Sequence, residues 1–402
     1  MKVLILEYEL PPIGGGTGQA LLRLVEEWKR FPETEIEVWT ARPPKGFSRD
    51  LPEGVIVREF RCLKKRIHFW RGIEQFILLW RCWRETLGDS PPPDVVLVWG
   101  GWPLGLLLLG RIGRFPSVVA LRGSDVPGFN ARTSGGIWRM LAGKVWERAS
   151  AVTANSPALA ALAMRTAPDL QIEIIPNGVN FHPPLPSEEE TPERENWPTD
   201  RPIRILSVNR LIRRKRVEML IQAVAQLPRE WRDRVEVRII GEGPEEHRLR
   251  VAVRELALQN QVEFLGEVPS SEMSNHYQGS DFFVLASSAE GLSNALLEAM
   301  AFGLPCFHAT PTGFEEIDDV TVQFRSAQSL SKKLLHHLEH SRRAFLRGQA
   351  CREVAQKQTW RRAAERYDAL LRQVISRFNS LPLLDQVGPW LKPETRFQPL
   401  TQ

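Results

Sequence analysis

Four cysteines in 402 residues are too few and too scattered for a disulfide framework or a thiolate metal site. Cys62, Cys82, Cys306 and Cys351 form no C-x-x-C pair and read as the reduced thiols of a cytoplasmic protein. Long hydrophobic runs are also missing. The longest uncharged run, Val95 to Gly110, holds four glycines and Pro103 and falls short of the ~20 apolar residues that a spanning helix needs. No secretory leader is visible, since Met1-Lys2 runs straight into Val3-Leu4-Ile5-Leu6. There is no D-x-D, and His68, His182, His247, His276 and His308 form no cluster with ligand spacing, so no metal site is expected. G-x-G-x-x-G is absent, and no acidic residue closes the second strand-like run, which counts against NAD or FAD. A net charge of +5 and a pI of about 9.1 permit an anionic partner without naming one. No nucleic-acid-binding motif accompanies that charge, so nucleic acid is not the expected partner.

What is present is enough apolar residue, 43%, to fill two ordinary domain cores. The first half alternates strand-like and helix-like segments. Val3–Leu6 precedes Pro11-Pro12-Ile13-Gly14-Gly15-Gly16 and a helix over about 19–30. Apolar runs follow at 36–39, 55–60, 95–99, 118–121, 151–154 and 172–175, mostly with helical periodicity between them. Repeated βα units predict a parallel, doubly wound sheet. Residues 183–202 are rich in Pro and Glu and read as a linker. A second βα series then runs from 203 to about 308, and 327–378 reads as helical. The predicted domains are 1–182 and 203–358, with a last helix at about 359–378 and an unassigned tail at 379–402.

The chain is organised around Leu285 to Pro305, LASSAEGLSNALLEAMAFGLP. A short apolar strand leads into a small-residue loop, then Glu290-Gly291, then an amphipathic helix over about 293–302 that Gly303 and Pro305 end. The first turn of such a helix offers backbone N–H groups and a positive terminus to a phosphate. Glu290 precedes the helix and Glu298 lies one to two turns inside it. A carboxylate accepts hydrogen bonds from hydroxyls, so two of them around a phosphate cradle suit a sugar nucleotide. Two Glu residues eight apart also occur by chance as solvated helix-end charges. The whole string is more specific. It resembles the E-x7-E signature of family-4 retaining glycosyltransferases. The resemblance implies an α/β fold of GT-B architecture, two doubly wound Rossmann-like domains facing a cleft, with the last helix crossing back onto the first domain.

That resemblance extends to other stretches. Arg210 and Lys215, five apart in a strand-to-helix loop, match an Arg-x4-Lys pair and are expected to neutralise the leaving diphosphate with Glu290 as the third catalytic residue. Arg216 stands where the family usually has Gly. Gly15, Gly16, Gly243, Gly291, Leu292, Ser293 and Glu298 are the implied donor-binding residues. Leu121-Arg122-Gly123-Ser124-Asp125 resembles a His-Gly-x-Asp segment, with Arg122 in place of the His. Arg122 and Asp125 are the expected acceptor or sugar contacts, although Asp125 equally suits a turn. Asn155-Ser156 and Asn177-Gly178 match cleft-lining positions, and Thr312 to Phe314 stands where donor-sugar contacts are expected. The implied reaction is metal-independent and cofactor-free. A nucleoside-diphosphate sugar donates, with retention, to a saccharide or lipid-linked acceptor in polysaccharide or glycolipid synthesis. A sugar-nucleotide epimerase and a non-catalytic binding protein are the alternatives.

One stretch suggests a second partner. Arg61 to Arg84 carries Arg61, Lys64, Lys65, Arg66, Arg71, Arg81 and Arg84 against one acid, Glu74. Leu63, Ile67, Trp70, Ile73, Ile77 and Trp80 recur at near-helical spacing, with Phe69, Phe76 and Trp83 beside them. A basic helix with Trp at its margins is the composition of an interfacial segment on anionic lipid. An ordinary sheet-covering helix with a solvated basic face is the competing reading.

Overall fold

A computed structural model describes residues 1–31, 33–49, 52–67, 69–86, 92–130, 134–179 and 196–381. The chain divides into two compact units, Met1–Asn177 with Trp360–Gln402, and Gly178–Thr359.

The first unit alternates β1 (Lys2–Leu6), α1 (Gly16–Trp28), β2 (Glu35–Ala41), β3 (Ile56–Phe60), α2 (Gly72–Glu85), β4 (Val95–Trp99), β5 (Ser117–Leu121), α3 (Gly136–Arg148), β6 (Ala151–Ala154), α4 (Pro157–Met164) and β7 (Ile172–Ile174). The strands pair in parallel in the order β3-β2-β1-β4-β5-β6-β7. All of β4 and β5 is buried, as expected of central strands covered on both faces. The closing helix is part of this unit's core. Trp360, Tyr367, Leu371 and Val374 pack with Trp28 and Trp99, and the Tyr367 hydroxyl meets Thr153 Oγ1 at 3.1 Å.

The second unit runs β8 (Ile203–Val208), α5 (Val217–Ala225), α6 (Arg229–Arg232), β9 (Val235–Ile240), α7 (Glu246–Glu255), β10 (Val262–Gly266), α8 (Met273–Gln278), β11 (Phe282–Leu285), α9 (Asn294–Ala301), β12 (Cys306–His308), α10 (Glu315–Val320), β13 (Val322–Gln323), α11 (Ala327–Glu339) and α12 (Ser341–Gln356). The closing helix of the first unit, Trp360–Asn379, is α13. The second sheet is parallel in the order β10-β9-β8-β11-β12-β13. Its two faces each carry a core, one around Ile205, Phe282 and Phe307, the other around Leu206, Phe283 and Leu297.

Two readings need correction. The predicted helical run from Leu63 is not helical before Gly72. Leu63 takes φ +58°, a left-handed conformation that breaks a helix. Lys64 is buried rather than lipid-facing: its ammonium lies 3.6 Å from Glu74 and 3.8 Å from the Trp70 ring. The linker also ends earlier than its composition suggests. Trp197 packs on Phe282 and donates to Leu338 O at 2.7 Å, and Arg201 forks onto Asp281 at 2.6 and 2.9 Å. The rest of the predicted linker, and the tail from 382, lie outside the described residues. Among the described residues no helix is long and apolar enough to cross a membrane.

Candidate functional site

In a doubly wound sheet, ligands bind beyond the carboxyl ends of the strands where the strand order reverses. In the second unit that point lies between β8 and β11. The loop after β8 carries Arg210 and Lys215, and the loop after β11 carries Glu290. Topology alone therefore brings the three predicted catalytic residues to one place.

Side-chain geometry tightens the group. The Lys215 ammonium pairs with Glu290 Oε1, and the Arg214 guanidinium lies 3.7 Å from the same oxygen. Burial works against the charge on Glu290. The Lys215 ammonium and the Arg214 guanidinium more than offset it and hold the carboxyl below its usual range. Arg210 is half-buried, within electrostatic reach of Arg214 and Lys215, and has no acidic partner among the described residues. One carboxylate among three cations leaves an excess of positive charge at this edge.

Helix α9 starts at the same edge. Gly291 and Leu292 are buried, and Ser293 is its N-cap without a capping hydrogen bond from its side chain. The helix terminus thus keeps the arrangement that suits a phosphate. Glu298, on the second turn, accepts a 2.7 Å hydrogen bond from the Tyr277 hydroxyl. Tyr277 is 1% exposed and stacked on Phe302. Burial, and then the nearby carboxylate, push its phenol well above its ordinary range, so it donates. Sequence reasoning missed Tyr277, because no motif links a tyrosine on α8 to a carboxylate on α9.

Gly243 has a structural reason to be glycine. A Cβ there would lie 2.3 Å from Leu211 O, and one at Gly241 would lie 2.2 Å from Asn209 O. The turn after β9 is packed backbone to backbone on the Arg210 loop, with Leu211 N donating to Glu242 O at 2.8 Å. Thr312 and Gly313 are tied to Asp318 through bonds of 3.0 Å.

The remaining predicted residues belong to the first unit. Gly15 is the N-cap of α1 and Gly16 its exposed first residue. Arg49, unmarked by any motif, clamps the loop before α1 by donating to Pro11 O at 2.6 Å and to Leu10 O. Asp125 takes the turn role: Oδ1 accepts from Arg122 N and Gly123 N at 3.0 and 2.7 Å, and Oδ2 from Gly101 N at 2.9 Å. The carboxylate is 8% exposed and bonded to three amides, as the turn reading of Asp125 expects. Arg122 is held inside its unit, with its guanidinium 4.1 Å from the Trp99 ring and Nη2 donating to Asn177 at 2.5 Å. Asn155 is buried, and Ser156 caps α4. His308 bonds Thr310 O and Thr321 Oγ1 at 2.8 and 2.7 Å, whereas His68 and His182 lie outside the described residues. Among the described residues no three His, Cys, Asp or Glu side chains group as metal ligands.

Comparison with known proteins gives the family and the fold. Residues 15–178 match the model of the glycosyl transferase 4-like domain, and residues 187–345 match that of glycosyl transferases group 1. The chain belongs to the group 1 glycosyltransferases. Its fold is that of Anabaena Alr3699/HepE, solved in complex with UDP and glucose, at TM-score 0.71 and 17% identity over 93% of this chain and 100% of that one. Two curated relatives match over shorter stretches. The putative colanic acid biosynthesis glycosyltransferase WcaL of Escherichia coli is 36% identical over 122 residues, 29% of this chain and 30% of the relative. The alpha-monoglucosyldiacylglycerol synthase of Streptococcus pneumoniae is 29% identical over 108 residues, 27% and 24% of the respective chains. The matched stretches thus span less than a third of either relative.

Proposed function

We propose that this protein is a retaining glycosyltransferase that moves a hexose from a nucleoside-diphosphate sugar to a saccharide or lipid-linked acceptor. The observation that carries this reading is the group Arg210, Lys215 and Glu290 at the strand-order reversal of the second unit, beside the start of α9. The neighbour's complex with UDP and glucose supports the donor class, and the relatives named for colanic acid and a glucosyl-diacylglycerol support the acceptor classes. In this reading the diphosphate sits at the start of α9 and displaces the ammonium of Lys215 from Glu290 toward itself. Arg210 and Lys215 neutralise the charge that grows on the leaving diphosphate, the role a metal has in other transferases. Glu290 binds hydroxyls of the transferred sugar and Glu298 those of the ribose. The acceptor attacks from the face that the diphosphate leaves, and a donor phosphate oxygen takes its proton. Incubating the purified protein with a panel of nucleotide sugars and acceptors, with mass spectrometry of the products, tests the proposal. No transfer and no donor hydrolysis across the panel would remove it.

Tyr277 gives a finer test of the donor side. Tyr277→Phe should weaken nucleoside diphosphate binding about threefold to tenfold, the worth of one hydrogen bond that orients Glu298. Glu298→Ala should weaken it further, and the two changes together no more than Glu298→Ala alone. Calorimetric titration gives all three constants. Independent, additive losses would detach Tyr277 from the role of Glu298.

The reading extends to a membrane-facing acceptor. Helix α2 buries Glu74, Leu78 and Cys82 and leaves Ile73, Phe76, Trp80 and Trp83 exposed, with Arg81 and Arg84 also exposed beside them. A sheet-covering helix would instead expose a polar face. Of the large exposed hydrophobic side chains among the described residues, only Leu256 and Leu346 belong to the second unit, so any apolar partner would meet the first. Such a face with cations around it supports an anionic bilayer surface as the partner in this reading, on the cytoplasmic side of a membrane. Binding to anionic vesicles should be strong at low salt, weak at high salt and slight on neutral lipid. Replacing Lys65, Arg66, Arg81 and Arg84 with Ser should weaken it about fivefold per charge. Equal sedimentation with anionic and neutral vesicles would contradict the electrostatic part.

A further inference from the structure

Arg216 holds a conformation that side chains rarely adopt, φ +45° and ψ +39°, at the junction between the turn 213–215 and α5. A left-handed residue with a Cβ is strained and persists only where its surroundings hold it there. What holds Arg216 is its own guanidinium. Nε donates to Ala286 O at 3.0 Å and Nη2 to Ser287 O at 3.2 Å. These carbonyls open the loop that ends at Glu290.

The rest of the turn grips the same loop. Arg214 O accepts from Ser288 N at 2.9 Å and from Ser288 Oγ at 3.2 Å. The Arg214 guanidinium donates to Ala289 O, and Lys215 pairs with Glu290. Each residue from 286 to 290 is therefore held by at least one residue of 214–216. Thr310 Oγ1 adds a 2.5 Å bond to Ser287 O from the opposite side. A glycine at 216 would adopt the backbone angles without strain but would release Ala286 O and leave Ser287 O to Thr310.

We propose that Arg216 is a positioning residue for Glu290, using its strained backbone to anchor the loop that carries the carboxylate. The role rests on the reading that Glu290 binds the transferred sugar. Arg216 does not touch the donor; it fixes where the reacting sugar is held. Small misplacements of a positioned group lower turnover steeply, whereas α9 and Glu298, which hold the nucleotide in this reading, are not anchored by the Arg216 guanidinium.

The test is Arg216→Gly beside Arg216→Lys. The glycine variant should keep or raise the melting temperature of the parent, because backbone strain is relieved. Its kcat should fall about tenfold with nucleoside diphosphate affinity within about twofold of the parent. Amide hydrogen exchange over 286–290 should accelerate, a readout that needs no substrate. Lysine, which restores one donor, should recover part of both kcat and exchange protection. Faster exchange in the glycine variant of a parent without transferase activity would leave the anchor standing and remove the proposed reaction. Unchanged exchange and unchanged kcat would overturn the proposal, as would a collapse of melting temperature and nucleotide affinity together with kcat, which marks a folding residue.

Discussion

Lys215→Ala should lower kcat by about 2 to 4 kcal/mol of transition-state stabilisation, a loss of roughly 30-fold to 1,000-fold. Arg210→Ala should lose a similar amount. Both follow from fixed cations acting on charge that develops as the glycosidic bond breaks. Lys215 has a second consequence that Arg210 lacks. Its ammonium is the largest influence opposing the burial of Glu290. Without it, Arg214 at 3.7 Å remains, and the carboxyl moves up from its depressed range. The sign follows directly. A depressed carboxyl stays ionised as pH falls, until the pH passes through its folded value. Raising that value brings the loss on sooner. The acid limb of the kcat profile should therefore lie at higher pH in Lys215→Ala than in the parent, and stay in place in Arg210→Ala. Activity within twofold of the parent in both variants would remove the two cations from the site. An acid limb that is identical in all three proteins would show that Glu290 does not govern it.

Much of the fold and the core of the site could be read from the sequence. The βα alternation survives because central strands such as Val95–Trp99 are wholly apolar, and such runs fit only a sheet covered on both faces. Arg210, Lys215 and Glu290 were legible through the resemblance of their loops to the Arg-x4-Lys and E-x7-E stretches of the family, and the strand order shows why those loops meet. The failures share a cause: each turned on a contact or a backbone angle that residue spacing does not display. The apolar spacing from Leu63 to Trp70 imitates a helix. The Lys64–Glu74 pair and the positive φ of Leu63 decide otherwise, and Glu74 also accepts from Arg71 N at 3.1 Å where the helix starts. Asp125, read equally as a turn residue, carries three backbone amides that only the folded chain displays. Trp197 lay inside a stretch whose composition said linker, although an indole among prolines and glutamates was itself a sign of packing. Tyr277 had no signal, and Arg216 only that it stands where the family usually has Gly, since each acts on a group some 20 or 70 residues away that only folding delivers.

Glu290→Gln should separate catalysis from nucleotide binding. The change keeps the shape of the side chain and removes its charge. Hydrogen bonds from sugar hydroxyls to a charged acceptor are worth about 1.5 to 3 kcal/mol, so turnover should fall roughly tenfold to 150-fold. Nucleoside diphosphate affinity should move the other way or not at all. In the parent, Lys215 and Arg214 share Glu290, and a diphosphate must draw them from it. With the carboxylate gone, the two cations and Arg210 face the diphosphate without a competitor, and Coulomb attraction at this half-buried edge is uncompensated. Tighter binding of the nucleoside diphosphate with slower transfer is thus the expected signature, and it should weaken with added salt. The Glu298→Ala variant should show the opposite pattern, weaker binding with turnover at saturation largely kept. Comparing calorimetric affinities with saturating rates for the two variants decides the assignment. If Glu290→Gln instead loses affinity and turnover in equal measure, the carboxylate contacts the nucleotide, and the division of roles between the two glutamates is wrong.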